Sequence, residues 1–255
     1  MFVFSLPFVN LAPDMQTHDR NSLLRELKNH LLFLKDAGYS EIPCESNLFT
    51  ESVSPLNASP RKSMTDNEKA NSLIEVREEL GDCTRCKLSQ GRKNIVFGSG
   101  NPKADLVFVG EGPGADEDEQ GLPFVGRAGK KLTEIIEKGM LLNREKDTYI
   151  CNIVKCRPPG IRDPEKEEIA ACNPCLIQQL KAIKPRVVVA LGKPAASTLL
   201  GRNVPITKER GTWHDYEGFK LMLTLHPAYL LRAYTLENRK AVQSDMKKVL
   251  KELGR

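Results

Sequence analysis

An α/β fold with a doubly wound, mainly parallel, four-stranded sheet is predicted by three features of this chain. Short apolar runs alternate with segments of helical periodicity. The runs are apolar throughout rather than every second residue, as expected of strands covered on both faces. Each run also ends in a residue out of keeping with it: Glu111, Asn152, Gly192 and His226. In an open α/β sheet the carboxyl ends of the strands are where ligands bind.

Residues 1–66 form an N-terminal extension and residues 67–255 the main domain. In the extension, leucines from Leu23 to Leu34 predict a helix over Ser22–Ala37, and the Ser-, Pro- and Asn-rich stretch 44–66 reads as a linker. In the main domain a helix is expected from about Asn67 to Leu80, then a strand over Asp105–Gly110 and a helix near Ala128–Lys138. A second strand covers Thr148–Val154. The helix after it starts near Pro164, which suits a first helical position. The run Pro185–Gly192 is the third strand, Ala195–Leu200 a short helix and Lys220–Leu225 the fourth strand. A helix over Glu237–Leu253 closes the chain.

The composition excludes several classes. No run is long enough to span a bilayer, and the apolar start lacks the basic segment of a signal peptide. A soluble, cytoplasmic, monomeric protein is expected. The net charge is +5, but residues 181–255 carry 15 Lys and Arg against 6 Asp and Glu. A basic carboxyl third suits a polyanion such as DNA, although a solvated basic helix explains the same charge.

The segment from Gly110 to Gly129 follows the first strand and is rich in Gly and acidic residues. It has no Gly-Lys-Ser/Thr, so a phosphate cradle is excluded. Its carboxylates suit water activation or support of developing positive charge. Seven cysteines point to metal or redox chemistry rather than disulfides. Cys83 and Cys86 form one CxxC, Cys172 and Cys175 another, and spacing alone makes these four a zinc site. Cys83, Cys86, Cys156 and Cys172 are an alternative quartet, able to hold an iron–sulfur cluster. Spacing leaves both open. Cys151, inside a strand, reads as a small buried hydrophobe.

Three motifs carry a resemblance. The loop GEGPGADEDEQGLPFVGRAG, the segment Asn152–Gly160 and the segment His226–Arg232 resemble the family 4, iron–sulfur uracil-DNA glycosylases over roughly residues 75–253. The resemblance implies excision of uracil from DNA at the start of base excision repair, and a [4Fe–4S] cluster on Cys83, Cys86, Cys156 and Cys172. It implies that Phe124 stacks on a flipped uracil, that Asn152 pairs with the uracil edge, and that His226 donates to uracil O2 as charge develops. Glu111 and the Gly112 amide would position the attacking water and the base, with Glu117 supporting the sugar cation. Tyr229, Leu230, Leu231 and Arg232 would form a wedge entering the duplex, and Arg157 would face DNA. A catalytically weak uracil-DNA binding protein and a zinc-ribbon nucleic-acid binder are the competing readings. Ile161 stands where the family commonly has Asn, and the N-terminal extension has no counterpart in the minimal enzymes.

Overall fold

The computed structural model describes residues 66–160 and 162–255. The predicted helix Ser22–Ala37, the linker up to residue 65, and Ile161 lie outside the described residues. The first helix, α1 (Asp66–Leu80), runs as expected.

The sheet has six strands: β1 (Ser99–Gly100), β2 (Leu106–Gly110), β3 (Thr148–Asn152), β4 (Val187–Leu191), β5 (Trp213–Tyr216) and β6 (Phe219–Thr224). Their order is β1-β3-β2-β4-β6-β5. The four central strands are the predicted ones and pair in parallel. The two edge strands, both antiparallel, correct the expected count of four. Neither had a readable signal. β1 is two residues long, and β5 reads Trp-His-Asp-Tyr, largely exposed and without an apolar run. Short or polar strands are what sheet edges tolerate, because they discourage pairing with another chain.

Side chains of the central strands alternate between two apolar clusters. Val107, Val109, Val188, Ala190, Leu221 and Leu223 face one side, where they meet α1, α5 (Lys166–Ile183) and α6 (Gly192–Leu200). Leu106, Phe108, Val187, Val189 and Met222 face the other. There they meet α3 (Arg127–Glu134), the π-turn Ile135–Gly139, α8 (Pro227–Arg232) and α9 (Leu236–Leu253). The result is a three-layer stack with strands buried on both faces, the reason their sequences show no alternation. Among the described residues no helix is long and apolar enough to cross a membrane.

Helix starts differ from expectation by more than one residue at two points: the helix expected from Ala195 begins at Gly192, and the one expected near Pro164 begins later. α5 begins at Lys166, after an N-cap at Glu165 whose backbone amide donates to Glu168 Oε2 at 2.7 Å. Pro164 therefore precedes the cap rather than occupying the first turn. Short helices α2 (Ala115–Gln120), α4 (Arg144–Asp147) and α7 (Ile206–Glu209) complete the fold.

The chain runs from β2 outward to β3, then crosses back past β2 to β4 and on to β6. The direction of winding reverses beside β2. That is a topological switch point, where a crevice opens above the strand ends.

Candidate active site

The crevice is framed by the predicted strand-end residues. Glu111 follows β2, Asn152 ends β3, Gly192 follows β4 and His226 follows β6. Among the described residues, two buried side-chain polar atoms lack a hydrogen-bond partner: Asn152 Oδ1 and Glu111 Oε1. Both are acceptors and both lie at this edge. An unpaired buried acceptor costs on the order of 1–3 kcal/mol, so two at one place mark a site built for a donor that comes with a ligand. A side chain at Gly110 would collide with Asn152 Oδ1 and with the Phe124 ring, so that ring and the amide meet above a bare backbone. At Gly112 a Cβ would lie 2.8 Å from Val154 Cγ2, so glycine there keeps the loop pressed to the strand end.

Phe124 is buried and has φ of 53°, a left-handed backbone that a bulky residue rarely adopts. Such strain persists only where the surroundings hold it. Three contacts do so. Glu117 Oε1 accepts from the amides of Val125 and Gly126, each at 2.9 Å. Arg144 Nη2 donates to Pro123 O at 2.8 Å. Gly129 packs so closely on the Phe124 carbonyl that no side chain fits there. Glu117 Oε2 also accepts from the Gly114 amide at 3.1 Å. The Glu117 carboxylate is thus engaged by three backbone amides of its own loop, and works as a clasp for Phe124.

His226 caps α8. Its Nδ1 accepts from the Ala228 amide at 3.1 Å, which leaves Nε2 to carry the proton. Burial, with Arg232 nearby, pushes the imidazole pKa down to about 4. The ring is therefore neutral in the physiological range, with one N–H to donate. Its centroid is 5.8 Å from that of Phe124. Gly192, at φ of 85°, makes room, since a Cβ there would come 2.7 Å from His226 Cβ.

Glu111 is the most perturbed carboxyl of the site. Burial, and after it the negative charge of the neighbouring Asp163 carboxylate, push it up to about 7. It can exchange a proton near neutrality, which suits a group that orients or deprotonates water.

The remaining predicted residues separate. Leu230 is 3% exposed and packs in the core beside Met246, so it is not available as part of a wedge. Its place in the wedge is corrected by the helical turn of α8, which aims it at the sheet. Leu231, 44% exposed, and Arg232 point outward, and Tyr229 is half-buried against the same core. Arg157 lines an open cleft of about 420 Å³ with Lys87 and Arg162.

Cys83, Cys86, Cys156 and Cys172 line one small cavity, and Cys175 does not. Donors surround the sulfurs. Arg92 donates to Cys156 Sγ at 3.4 Å, Arg85 to Cys83 Sγ at 3.7 Å and the Lys155 amide to Cys172 Sγ at 3.3 Å. Among the described residues no group of His, Cys, Asp or Glu converges on a single ion. The donor set, four sulfurs on one cavity with N–H groups aimed at three of them, suits an anionic sulfur-ligated group. Cys175 and Cys151 are buried thiols whose pKa values burial raises.

Sequence reading missed Arg144, Gly129, Asp163 and Lys155. Arg144 and Asp163 act on Phe124 or Glu111 from outside the motifs that named those residues, while Gly129 closes the first motif and its close approach to the Phe124 carbonyl has no sequence signature. Lys155 lay inside a motif, but nothing in its neighbours indicated that a lysine would be buried.

Fold and site together define an α/β protein with an unpartnered amide, an aromatic ring and a tunable carboxyl at the switch point of its sheet. Comparison with known proteins gives that class a family. The family model of the Uracil DNA glycosylase superfamily matches residues 97–253. The chain is 49% identical over 175 residues to the type-4 uracil-DNA glycosylase of Thermotoga maritima, covering 68% of this chain and 90% of that one. It is 44% identical over 193 residues to that of Saccharolobus solfataricus, covering 72% and 88%. For the Archaeoglobus fulgidus protein the figures are 41% over 186 residues, 70% and 92%. The chain belongs to the uracil-DNA glycosylase superfamily and, within it, to the type-4 family.

Proposed function

We propose that the chain is a monofunctional uracil-DNA glycosylase, acting as a monomer, that hydrolyses the N-glycosidic bond of a flipped-out uracil and so starts base excision repair. The observation that carries this is the pair of orphaned acceptors, Asn152 Oδ1 and Glu111 Oε1, at one strand edge. Uracil brings an N3–H to the first, while its O4 accepts from the Asn152 amide NH₂. Cytosine reverses both groups and would leave them unpaired, which is the strong form of discrimination. Phe124, locked in its strained backbone, offers a ring face to stack on the base.

Breaking the glycosidic bond leaves negative charge on uracil and positive charge on the sugar. His226 Nε2–H donates to uracil O2 as that charge grows, and does so as a neutral group. Ionised Glu111 orients the attacking water on the sugar side and takes its proton. No second carboxyl is needed as a nucleophile, so no covalent intermediate forms. Leu231 and Arg232 serve the duplex, the first filling the vacated stack and the second meeting phosphate. Arg157 contributes from its basic cleft.

Cys83, Cys86, Cys156 and Cys172 would hold a [4Fe–4S] cluster. The shared cavity and the ring of donors on its sulfurs support this choice over a zinc quartet that includes Cys175. When bound, the cluster supplies a rigid cross-link between α5, the residues after α1 and the Arg157 loop. Incubation with an end-labelled oligonucleotide holding one uracil, followed by alkali, tests the activity. Cleavage at the uracil is expected, and an intact strand would refute it.

A further inference from the structure

Lys155 is a buried cation without a carboxylate. It is 1% exposed. Its Nζ donates to the Asn152 carbonyl at 2.6 Å and to Gln179 Oε1 at 2.5 Å, both neutral acceptors. The buried carboxylates among the described residues are committed elsewhere: Glu168 to Arg162, Asp245 to Arg210 and Thr224, Asp118 to the Lys93 amide. A buried ammonium held only by neutral groups is expensive, and such an ion persists where an anion accompanies it.

The place for that anion is the cysteine cavity. Lys155 lines the cavity of Cys83, Cys86, Cys156 and Cys172, and its own amide donates to Cys172 Sγ at 3.3 Å. One residue therefore touches both halves of the molecule, with its amide on a cysteine and its ammonium on the backbone of the base-reading Asn152. Gln179 fixes the ammonium from behind, since its amide NH₂ donates to Phe97 O at 3.0 Å.

We propose that Lys155 is the internal counter-ion of the anionic sulfur centre and the positioning residue that sets the Asn152 carbonyl, so that the centre and the uracil pocket are mechanically one unit. The inference rests on the proposed cluster for its first half and on the protein alone for its second. The geometry assigns a role to charge, met by Lys or Arg, and a role to reach, met by Lys alone.

The test compares the full-length chain with Lys155→Met and Lys155→Arg. Iron retained after a timed chelator challenge reads the counter-ion. Steady-state kcat/KM on single-stranded uracil DNA, with cytosine DNA beside it, reads Asn152. Loss of an outer partner of a metal centre commonly costs about 10–100-fold. Lys155→Met is expected to lose iron on that scale faster than wild type and to drop kcat/KM for uracil by a similar factor. Lys155→Arg should keep the iron while its kcat/KM stays low. Equal iron retention and equal kcat/KM in wild type and Lys155→Met would overturn the proposal. So would equal losses in both variants with lowered Tm, the mark of a merely structural lysine. Iron-free wild type would remove the cluster reading alone, and the Asn152 half would still be decided by kcat/KM.

Discussion

The strand-end pocket and the cysteine cavity share the segment Asn152–Cys156, which gives Asn152 to the first and Lys155 and Cys156 to the second, and they are opposite in kind. The pocket is under-satisfied. Asn152 Oδ1 and Glu111 Oε1 are buried without partners, and Phe124 is held in a strained backbone. The cavity is over-supplied with donors: Arg92, Arg85 and the Lys155 amide all reach sulfur. The first is arranged for a ligand that visits, brings hydrogen-bond donors and leaves. The second, under the proposed function, holds an anionic cluster that stays. Recognition is thus kept where strain can be relieved on binding, and rigidity is kept where nothing need move.

Breaking the pocket should be the more damaging to catalysis. Asn152→Ala removes base reading and should lower kcat/KM on uracil DNA by roughly 10³-fold or more, with little change in Tm, as single-turnover kinetics and thermal melts would show. His226→Ala removes the single donor to O2 and should lower kcat by about 10²–10³-fold. If instead KM alone rose, His226 would be binding the ground state and not the developing charge.

Loosening the clasp should cost less. Glu117→Ala frees the amides of Gly114, Val125 and Gly126 and relaxes Phe124. About 1–3 kcal/mol of stability should be lost in a denaturant titration, with a rise in KM larger than the fall in kcat. A large fall in kcat at unchanged KM would mean that Glu117 acts on the sugar cation.

The wedge offers a contrast within two neighbouring residues. Leu230→Ala opens the core and should destabilise by about 2–5 kcal/mol. Leu231→Ala should leave stability unchanged and lower activity on duplex, not single-stranded, uracil DNA.

The smallest expected effect lies in pH. Glu111 acts ionised and its pKa is raised to about 7, so activity should fall as pH drops through 7. Asp163→Asn removes the neighbouring carboxylate that helps raise it, and the acid limb should move to lower pH. His226, held near 4, is neutral above that value and adds no limb between about pH 5 and 8.

The four central strands and the strand-end residues could be read from the chain because full burial leaves unbroken apolar runs, and a Gly, Asn or His at the end of one stands out. The edge strands could not, since β1 spans two residues and β5 carries polar ones. Glu117 was legible as a carboxylate near the base but not as a clasp. That role depends on the amides of Val125 and Gly126, and a backbone donor has no sequence signature. Leu230 and Leu231 look alike in sequence, and only the rotation of α8 sends one inward and the other out. Lys155 sits in a motif, yet its burial is decided by Gln179 and the cavity, both far along the chain.

The central claim is that the orphaned acceptor of Asn152 is completed by uracil. The most direct test is the ratio of single-turnover rates on two oligonucleotides that differ only in uracil or cytosine, measured for wild type and Asn152→Ala. A preference for uracil of about 10⁴-fold or more in wild type, collapsing in the variant, is the expected result. Equal rates on the two strands, or a preference that survives Asn152→Ala, would contradict it.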